Sequence, residues 1–457
     1  MDIDTGNTAW LLLSSALVLL MTPGLALFYG GLNRSKGTLN MMMMSFSCIG
    51  IISILWALYG FSISFGTNGS SGVNKVLGSF SQYMGTGTSW QSEIWGKTGI
   101  PTLVFMAFQM MFAIITVALI SGSLSDRFKF GGWILFAVGW FTIVYVPVAH
   151  WVWGGGWIGV NLGALDFAGG TAVHINAGSA ALAVAIVLGK RVGWPRENMR
   201  PHNVPFVALG AGLLWFGWFG FNAGSELTVD FVTSIAFVNT QLATAAALVG
   251  WCLVEWIRDK KPTMVGASSG AVAGLVAITP ACGYIPPMAA VLLGIVAGAV
   301  CALAVGLKYR FGFDDSLDVV GVHFVGGWIG SLWIGLFASS GVNSLVTHKS
   351  LFYGGSFDQL WRQFVGSAAV TVFSFVVAYI LASILKAVKL GRVDTDAEVS
   401  GIDIADHGET PYDFTPSGGG GGGGFAMAGL GSAGTGEGPS TPVDADGKAD
   451  TSQKVAG

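Results

Sequence analysis

The stretch DFAGGTAVHINAGSAALAVAIVLGKR, residues 166–191, places one histidine inside a segment long and apolar enough to cross a membrane. The strongly polar side chains between residues 170 and 189 are Thr171, His174, Asn176 and Ser179. An ionisable side chain is costly in hydrocarbon, so His174 is a candidate functional residue. The alternative is a structural histidine whose ring is hydrogen-bonded to a neighbouring helix.

The composition indicates an integral membrane protein of the cell membrane. Of 457 residues, 52% are hydrophobic and 10% are charged, against roughly 25% charged in an average soluble domain. The net charge of −3 and the lack of a basic run argue against nucleic-acid binding. The four cysteines have no metal-ligand spacing, and no nucleophile–base pair or phosphate loop is present. We therefore expect neither an enzyme nor a bound cofactor.

Apolar segments of about 20 residues predict an all-α fold with eleven transmembrane helices. They cover approximately residues 9–32, 39–65, 101–123, 132–152, 169–189, 203–222, 231–257, 263–282, 289–307, 317–338 and 363–385.

Lysine and arginine are distributed unequally among the predicted loops. Thirteen of them follow the first, third, fifth, seventh and ninth segments. The alternate loops hold Lys75, Lys97 and Lys349, with Arg362 at the edge of the eleventh segment. Because basic residues collect in cytoplasmic loops, the N-terminus is predicted outside and the C-terminus inside.

The composition changes beyond the eleventh segment. Residues 1–390 are predicted to form the transmembrane domain. Residues 391–416, which include GIDIADHGETPYDF at 401–414, are predicted to dock under it as a cytoplasmic tail. Residues 417–457 carry a glycine run and polar residues that cannot bury a core, so we predict a disordered extension.

A short pattern around His174 recurs in the tenth segment. Val173-His174-x-x-Ala177-Gly178 matches Val322-His323-x-x-Gly326-Gly327, and an aspartate precedes each, Asp166 and Asp318. Because the two segments are five apart, the pattern predicts two inverted five-helix repeats plus an eleventh helix. Both histidines then fall close to the membrane midplane, where a hydrogen-bonded pair would hold one shared proton. The alternative is two separate structural histidines.

Aromatic residues gather at the predicted outer ends of the fourth and sixth helices. Trp153 precedes three glycines, and Phe221 and Ser225 lie in WFGWFGFNAGS. Aromatic faces with a hydroxyl can bind a small cation, although an interfacial aromatic belt explains any single tryptophan equally well. Phe108 and Phe112 share one face of the third helix, which core packing also explains.

These segments together resemble the Amt/Mep/Rh family of ammonium transporters, specifically its bacterial Amt branch. The resemblance spans about residues 9–414 and is carried by FYGGLNRSK at 28–36, PVAHWVWGGG at 147–156, GALDFAGGTAVHINAG at 163–178, GWFGFNAGS at 217–225, ITPACGYI at 278–285 and DVVGVHFVGG at 318–327.

The resemblance implies a homotrimer in the lipid bilayer, with a pore in each protomer. It also implies eight site residues: Trp153, Ser225 and Phe108 for recruiting ammonium, Asp166 as a supporting carboxylate, Phe112 and Phe221 as a gate, and His174 and His323 lining the pore. Ammonium would lose its proton outside, and ammonia would pass the histidines into the cytoplasm. The tail is similar to the family's regulatory tail, which implies a PII-type partner, whereas the glycine-rich extension departs from the family.

Two other functions remain open. A neutral gas channel would share the fold and the histidines but would depend less on Trp153 and Ser225. An ammonium sensor would signal through the cytoplasmic tail. The tail carries no recognisable signalling domain, so joint transport and sensing is the stronger form of that alternative.

Overall fold

The computed structural model describes residues 2–81, 93–197 and 199–412. In this part of the chain the architecture is helical apart from one short hairpin. The principal helices are α1 Thr5–Leu32, α2 Ser35–Phe65, α3 Thr102–Ser123, α4 Phe130–Leu162, α5 Gly170–Leu188, α6 Val204–Glu226, α7 Phe231–Asp259, α8 Met264–Ile278, α9 Pro287–Phe311, α10 Val320–Phe337 and α11 Asp358–Ala387.

Ten of these helices are long and apolar enough to cross a membrane, counted over the described residues. The exception is α8, which has 15 residues and a length of roughly 22 Å, below the roughly 30 Å hydrocarbon core. The segment predicted at 263–282 is therefore shorter, because the helix stops ahead of Pro280 and the chain turns. The fold is that of a multi-pass membrane protein, while the count of eleven spans and the orientation stay predictions.

Local sequence signals explain where several helices begin. Asp4 caps α1 by accepting a 2.8 Å hydrogen bond from the Asn7 backbone. Asp230 and Thr233 form a reciprocal capping box at the start of α7. Such caps satisfy backbone donors that have no partner within the helix.

The helices α1 and α6, which open the two predicted repeats, pack closely against each other. A side-chain carbon on Gly210 of α6 would lie 2.4 Å from the Phe28 backbone nitrogen of α1. Small residues at helix interfaces permit this close backbone approach, a common way of packing helices in lipid.

The described parts of the loop between α2 and α3 lie at one end of the bundle. Its strands β1 Ile94–Trp95 and β2 Ile100–Pro101 are antiparallel, with Trp95 opposite Ile100. The Trp95 ring stacks on Phe105 of α3, with 4.0 Å between ring centroids. The hairpin thus adds aromatic surface to this end of the molecule, called here the outer end.

The tail lies against the opposite end, called here the inner end. Asp403 accepts hydrogen bonds from the backbone nitrogens of Leu39 (3.0 Å) and Asn40 (2.7 Å), where α2 begins. Tyr412 accepts a hydrogen bond of 3.0 Å from Asn203. Residues up to Tyr412 form one compact unit. The rest of the predicted docking segment, 413–416, and the predicted disordered extension, 417–457, lie outside the described residues.

Candidate functional site: an aromatic cavity beside a buried histidine pair

The two histidines of the sequence pattern lie in matching backbone environments. His174 lies in a π-helical turn, Gly170–Ile175, that opens α5. His323 lies in a second one, Val320–Phe324, at the start of α10. A π-helical turn is uncommon, and it occurs frequently at functional sites.

The structure brings the two rings together. Nδ1 of His174 and Nδ1 of His323 are 3.3 Å apart, within hydrogen-bonding distance, and the ring centroids are 5.3 Å apart. The residues are 1% and 3% exposed, so both rings lie in the protein interior. Nε2 of His174 is buried and has no hydrogen-bond partner among the described residues. The pair therefore keeps one buried nitrogen whose hydrogen-bonding capacity no described residue uses.

Glycines explain how the two helices come close enough. A side-chain carbon on Gly178, four residues after His174, would lie 2.7–2.8 Å from atoms of Phe324. A side-chain carbon on Gly327, four residues after His323, would lie 3.2 Å from Cβ of His174. The recurring sequence pattern therefore places both a histidine and a close helix contact on each repeat.

Each histidine helix begins at a buried aspartate. Asp166 accepts four backbone hydrogen bonds of 2.7–3.0 Å, from residues 169 to 172 at the start of α5. Asp315 accepts backbone hydrogen bonds from Val319 (3.1 Å) and Val320 (2.7 Å) at the start of α10. Burial raises the pKa of the Asp166 carboxyl, and the backbone donors oppose this effect. Both carboxylates act as helix caps.

The pairing of Asp166 with Asp318 is therefore wrong. Asp315 lies eight residues before its histidine, as Asp166 does, and it makes the equivalent contacts. Asp318 instead adopts a left-handed conformation (φ 64°) and forms an ion pair of 2.7 Å with Lys308.

Aromatic rings separate the histidines from the outer end. The Phe221 ring lies 6.2 Å from the His174 ring and 4.2 Å from the Phe112 ring, measured between centroids. The Phe112 ring in turn meets Trp153 nearly edge-on at 6.0 Å. Phe112 and Phe221 thus lie between Trp153 and the histidine pair.

A cavity of about 180 Å³ occupies the outer side of these rings. Its wall is formed by Phe65, Trp95, Phe105, Gln109, Phe112, Trp153, Phe167, Ser225 and Leu227. Trp153 is held in place by a 2.9 Å hydrogen bond from its indole nitrogen to the Asp166 carbonyl. Ser225 donates its hydroxyl hydrogen to the Phe221 carbonyl at 2.7 Å, so the lone pairs of its oxygen stay available to a cation.

Two positions differ from the expected set. Phe108 does not line the cavity; it is fully buried and packs on Phe112, with 4.9 Å between ring centroids. Gln109 does line it, and its side-chain oxygen is buried without a hydrogen-bond partner in the described chain. Phe105, Gln109 and Phe112 follow helical spacing along one face of α3, and this spacing was a signal available in the sequence.

A comparison with known families decides the identity of the chain. The family model described as Ammonium Transporter Family matches residues 9–412. The chain belongs to the ammonium transporter family.

Relatives within the ammonium transporter family cover most of the chain. A protein named ammonium transporter from Mycobacterium tuberculosis (strain H37Rv) is 55% identical, over 91% of this chain and 92% of the relative. One of the same name from Bacillus subtilis (strain 168) is 48% identical, over 89% and 98%. The crystal structure of Candida albicans Mep2 superposes with a TM-score of 0.80 at 35% identity, over 90% and 93%. A structure titled Sensor Amt Protein gives a TM-score of 0.80 at 29% identity, over 88% and 98%.

The inner end of this ammonium transporter family member is ionic where the outer end is aromatic. Arg191 forms two 2.9 Å hydrogen bonds to the Asp314 carboxylate, and the guanidinium of Arg127 is 3.5 Å from it. Burial by itself would raise the pKa of Asp314, but the Arg191 hydrogen bond and the two arginine charges bring that pKa below its ordinary value. Burial lowers the pKa of Arg127 to about 10. Among the described residues, no group of three or more His, Cys, Asp or Glu could hold a metal ion.

Proposed function

We propose that this chain transports ammonium by recruiting the cation in the outer aromatic cavity and passing ammonia along the buried histidine pair. The observation that carries the proposal is the order in which three groups of side chains follow one another from the outer end inward. A cavity lined by aromatic rings is followed by the rings of Phe112 and Phe221, which are in contact, and then by His174 hydrogen-bonded to His323.

Recruitment follows from the chemistry of the cavity wall. Ring faces attract a cation by about 0.5–2 kcal/mol per contact as water is removed. Ammonium also offers four N–H donors, which suit acceptor oxygens. Ser225 presents free lone pairs, and Gln109 presents a buried oxygen that lacks a donor among the described residues. The cavity thus supplies both kinds of contact, and we add Gln109 to Trp153 and Ser225 as a recruiting residue.

The phenylalanine pair makes passage of the intact cation costly. With 4.2 Å between their centroids, the Phe112 and Phe221 rings are in contact, so a solute passes only when the rings move aside. A charged solute would leave its oxygen ligands for an apolar surrounding, at a cost of many kcal/mol. Ammonia carries no charge and keeps hydrogen-bonding capacity, so deprotonation in the cavity favours its entry.

The histidines offer ammonia polar contacts inside an apolar passage. A neutral imidazole pair that shares one proton presents both a donor and an acceptor to a small solute. The proton is released to the outer solution and ammonia moves inward, so the net movement across the membrane is of neutral ammonia, which can take up a proton again on the inner side. Asp166 holds the start of α5 and the indole of Trp153, so its part is to position both sites. Phe108 supports Phe112 from behind.

We further propose the assembly that the family resemblance implies. The working unit is a homotrimer in the cell membrane, and each protomer has its own pore. The tail is the contact for a PII-type regulatory protein, because residues 391–412 lie against the inner end.

The test is current across a membrane containing the full chain, on adding ammonium at fixed pH. The wild type and a His174→Ala, His323→Ala double variant are compared. Saturable current that is lost or altered in selectivity in the double variant would mean that the proton also crosses and that transport through the histidine pair is electrogenic. Internal alkalinisation of vesicles without current, lost in the double variant, supports the proposal that ammonia alone crosses. If the double variant equals the wild type in both assays, the histidines have no role in transport.

Two alternative functions predict different results in these assays. Since one similar structure is titled Sensor Amt Protein, a sensor is the first: it would give no transport in either assay but would bind a receiver protein through the tail. A neutral gas channel is the second. It would conduct ammonia without current, and Trp153→Leu together with Ser225→Ala would leave its flux unchanged.

A further inference from the structure

A third histidine of the bundle, His150 in the outer part of α4, is not used in the proposed route of ammonia. Its side chain is fully buried. Nδ1 lies 2.8 Å from the carbonyl oxygen of Ser64, and Nε2 lies 2.6 Å from the carbonyl oxygen of Asn74. Both partners are hydrogen-bond acceptors, and neither can donate a hydrogen to the ring.

Two acceptor partners constrain the state of the His150 ring. A neutral imidazole has one N–H group, so its other nitrogen would face a carbonyl oxygen with lone pair against lone pair. An imidazolium has two N–H groups and donates to both oxygens. Both distances are also shorter than the usual N–H···O distance of about 2.9–3.0 Å, as is typical of a charged donor. The hydrogen-bonding pattern is thus that of a ring with both nitrogens protonated.

Helix ends explain how a buried positive charge is stable at this position. Ser64 lies in the last turn of α2, where carbonyl groups lack partners within the helix. His150 itself lies in the last turn of the segment Val146–Val152 of α4. The C-terminal ends of helices carry partial negative charge and stabilise a cation. Among the described residues no carboxylate forms an ion pair with His150, so these carbonyl groups are its counterpart.

The first hydrogen bond connects two walls of the outer cavity. Phe65, which follows Ser64, and Trp153, one turn after His150, both line that cavity. Gly154 permits the contact, because a side-chain carbon there would collide with the Ser64 carbonyl oxygen and would lie 2.8 Å from Nδ1 of His150. The hydrogen bond from His150 to Ser64 therefore helps to fix the spacing of the two aromatic rings.

The second hydrogen bond holds the loop that follows α2. The loop contains Asn74 and accepts two further hydrogen bonds from α4, from the backbone nitrogen of Trp157 (3.0 Å) and the indole nitrogen of Trp151 (2.9 Å). This part of the loop thus has three connections to α4. Loss of the contact to Asn74 should therefore matter less than loss of the contact to Ser64.

We propose that His150 is a positioning residue that acts as a buried imidazolium. Its two N–H groups hold the end of α2 and the following loop against α4, and they keep Phe65 and Trp153 at the spacing that the cavity requires. The positioning role rests on the proposed recruitment of ammonium in that cavity.

The protonation of the ring can be measured in the wild-type chain alone. Ala149-His150 is the one place in the sequence where alanine precedes histidine. Carbonyl-¹³C alanine combined with ¹³C,¹⁵N-labelled histidine therefore selects His150 in solid-state NMR of the full-length protein in lipid bilayers. At neutral pH two hydrogen-bearing ring nitrogens are expected. A bare ring nitrogen would overturn the proposal, whatever the transport assays give.

The positioning role is tested by the apparent KM for ammonium. His150→Gln places its amide near the position of Nε2 and loses the donor to Ser64, so KM should rise about tenfold, the upper end of what one hydrogen bond contributes. His150→Asn places its amide near Nδ1 and loses the donor to Asn74, so KM should rise about threefold, nearer the lower end. The maximal rate should change little in both. His348→Gln, at a side chain that is 41% exposed, is the control and should keep the wild-type KM.

The outcomes separate this inference from the recruitment proposal. An amide variant with the KM of the wild type would show that one N–H group suffices, which contradicts the need for an imidazolium. A lower maximal rate with unchanged KM would place His150 outside recruitment. Trp153→Leu tests the cavity by itself, and an unchanged KM there would reject the cavity and with it the positioning role. The NMR result depends on neither the variants nor transport, so it decides the state of the ring in every case.

Discussion

The two ends of the molecule, on either side of the histidine pair, share a backbone plan and differ in chemistry. At each end a buried aspartate caps the helix that carries the histidine, Asp166 for α5 and Asp315 for α10. Around Asp166 the neighbours are aromatic rings, whereas the segment containing Asp315 is held by arginines. The repeat therefore accounts for the paired histidines, while the residues added to it surround one end with aromatic rings and the other with ion pairs.

The largest expected effect is at the ionic end. Arg191→Met leaves the buried Asp314 carboxylate with one arginine partner instead of two, and breaking such a buried pair costs about 3–5 kcal/mol. The thermal unfolding midpoint in detergent should fall by a large amount. Asp314→Asn in the Arg191→Met background should recover part of the loss, since it removes the uncompensated charge. No recovery would mean that Arg191 acts through packing instead.

The same pair gives a pH dependence with a definite sign. The folded-state pKa of Asp314 lies below its ordinary value, so the stabilisation is fully present above the pKa of unfolded aspartate. It is lost as pH falls through the lower, folded-state pKa. The unfolding midpoint of the wild type should therefore decline in acid more steeply than that of Asp314→Asn. Equal slopes would contradict the assignment.

At the aromatic end the corresponding change is Asp166→Ala. It removes the acceptor for four buried backbone donors, with an expected cost of about 3 kcal/mol, since leaving even one buried donor unsatisfied costs about 1–3 kcal/mol. Transport should also fall, because Trp153 is hydrogen-bonded to the carbonyl of this residue. Asp166→Asn keeps part of the acceptor capacity and should be intermediate. If both variants match the wild type in unfolding midpoint, the carboxylate is not a structural cap.

Changing the contact between α5 and α10 is expected to have a smaller effect. Gly178→Ala adds a carbon 2.7–2.8 Å from atoms of Phe324, and such overpacking costs about 2 kcal/mol. It should also separate the histidine rings and lower the transport rate. Gly212→Ala is the matched control, because a side-chain carbon at that helical position meets nothing within 4 Å. Equal transport in the two variants would show that the spacing of α5 and α10 is not critical.

The smallest expected effect is at the cavity wall. Gln109→Leu removes a buried hydrogen-bond acceptor from the cavity wall and keeps a side chain of similar size. The apparent KM for ammonium should rise about tenfold, equivalent to about 1.4 kcal/mol. The maximal rate should change little, because the histidine pair is untouched. A fall in maximal rate at constant KM would instead indicate that Gln109 acts in the passage of ammonia and not in the binding of ammonium. Stability provides the control, since the variant should unfold as the wild type does.

The histidine pair could be predicted because its signal lies in local spacing. Two similar patterns on helices five apart, each a fixed number of residues into its helix, place His174 and His323 at similar depth. Equal spacing also identifies the two capping aspartates, because Asp166 and Asp315 each lie eight residues before a histidine. Pairing Asp166 with Asp318 failed because proximity in sequence was used in place of equal spacing.

The cavity wall was harder to predict, for two physical reasons. Trp95 reaches it through a hairpin whose path depends on tertiary packing against Phe105. Phe108 was expected in the wall because the family resemblance implies it as a recruiting residue. The wall is instead centred on the face of Phe105, Gln109 and Phe112, and Phe108 lies about 60° around the helix from its centre.

The meeting of the two Nδ1 atoms has a consequence for the far side of each ring. When both imidazoles are neutral, the ring that donates its Nδ1 hydrogen has a bare Nε2, and the ring that accepts has a protonated Nε2. The outward-facing nitrogens are therefore always of opposite character, and moving one hydrogen across 3.3 Å exchanges them. The pair is a two-state dipole, and on the proposed route successive ammonia molecules would meet a pair whose polarity can reverse without any change in its net charge.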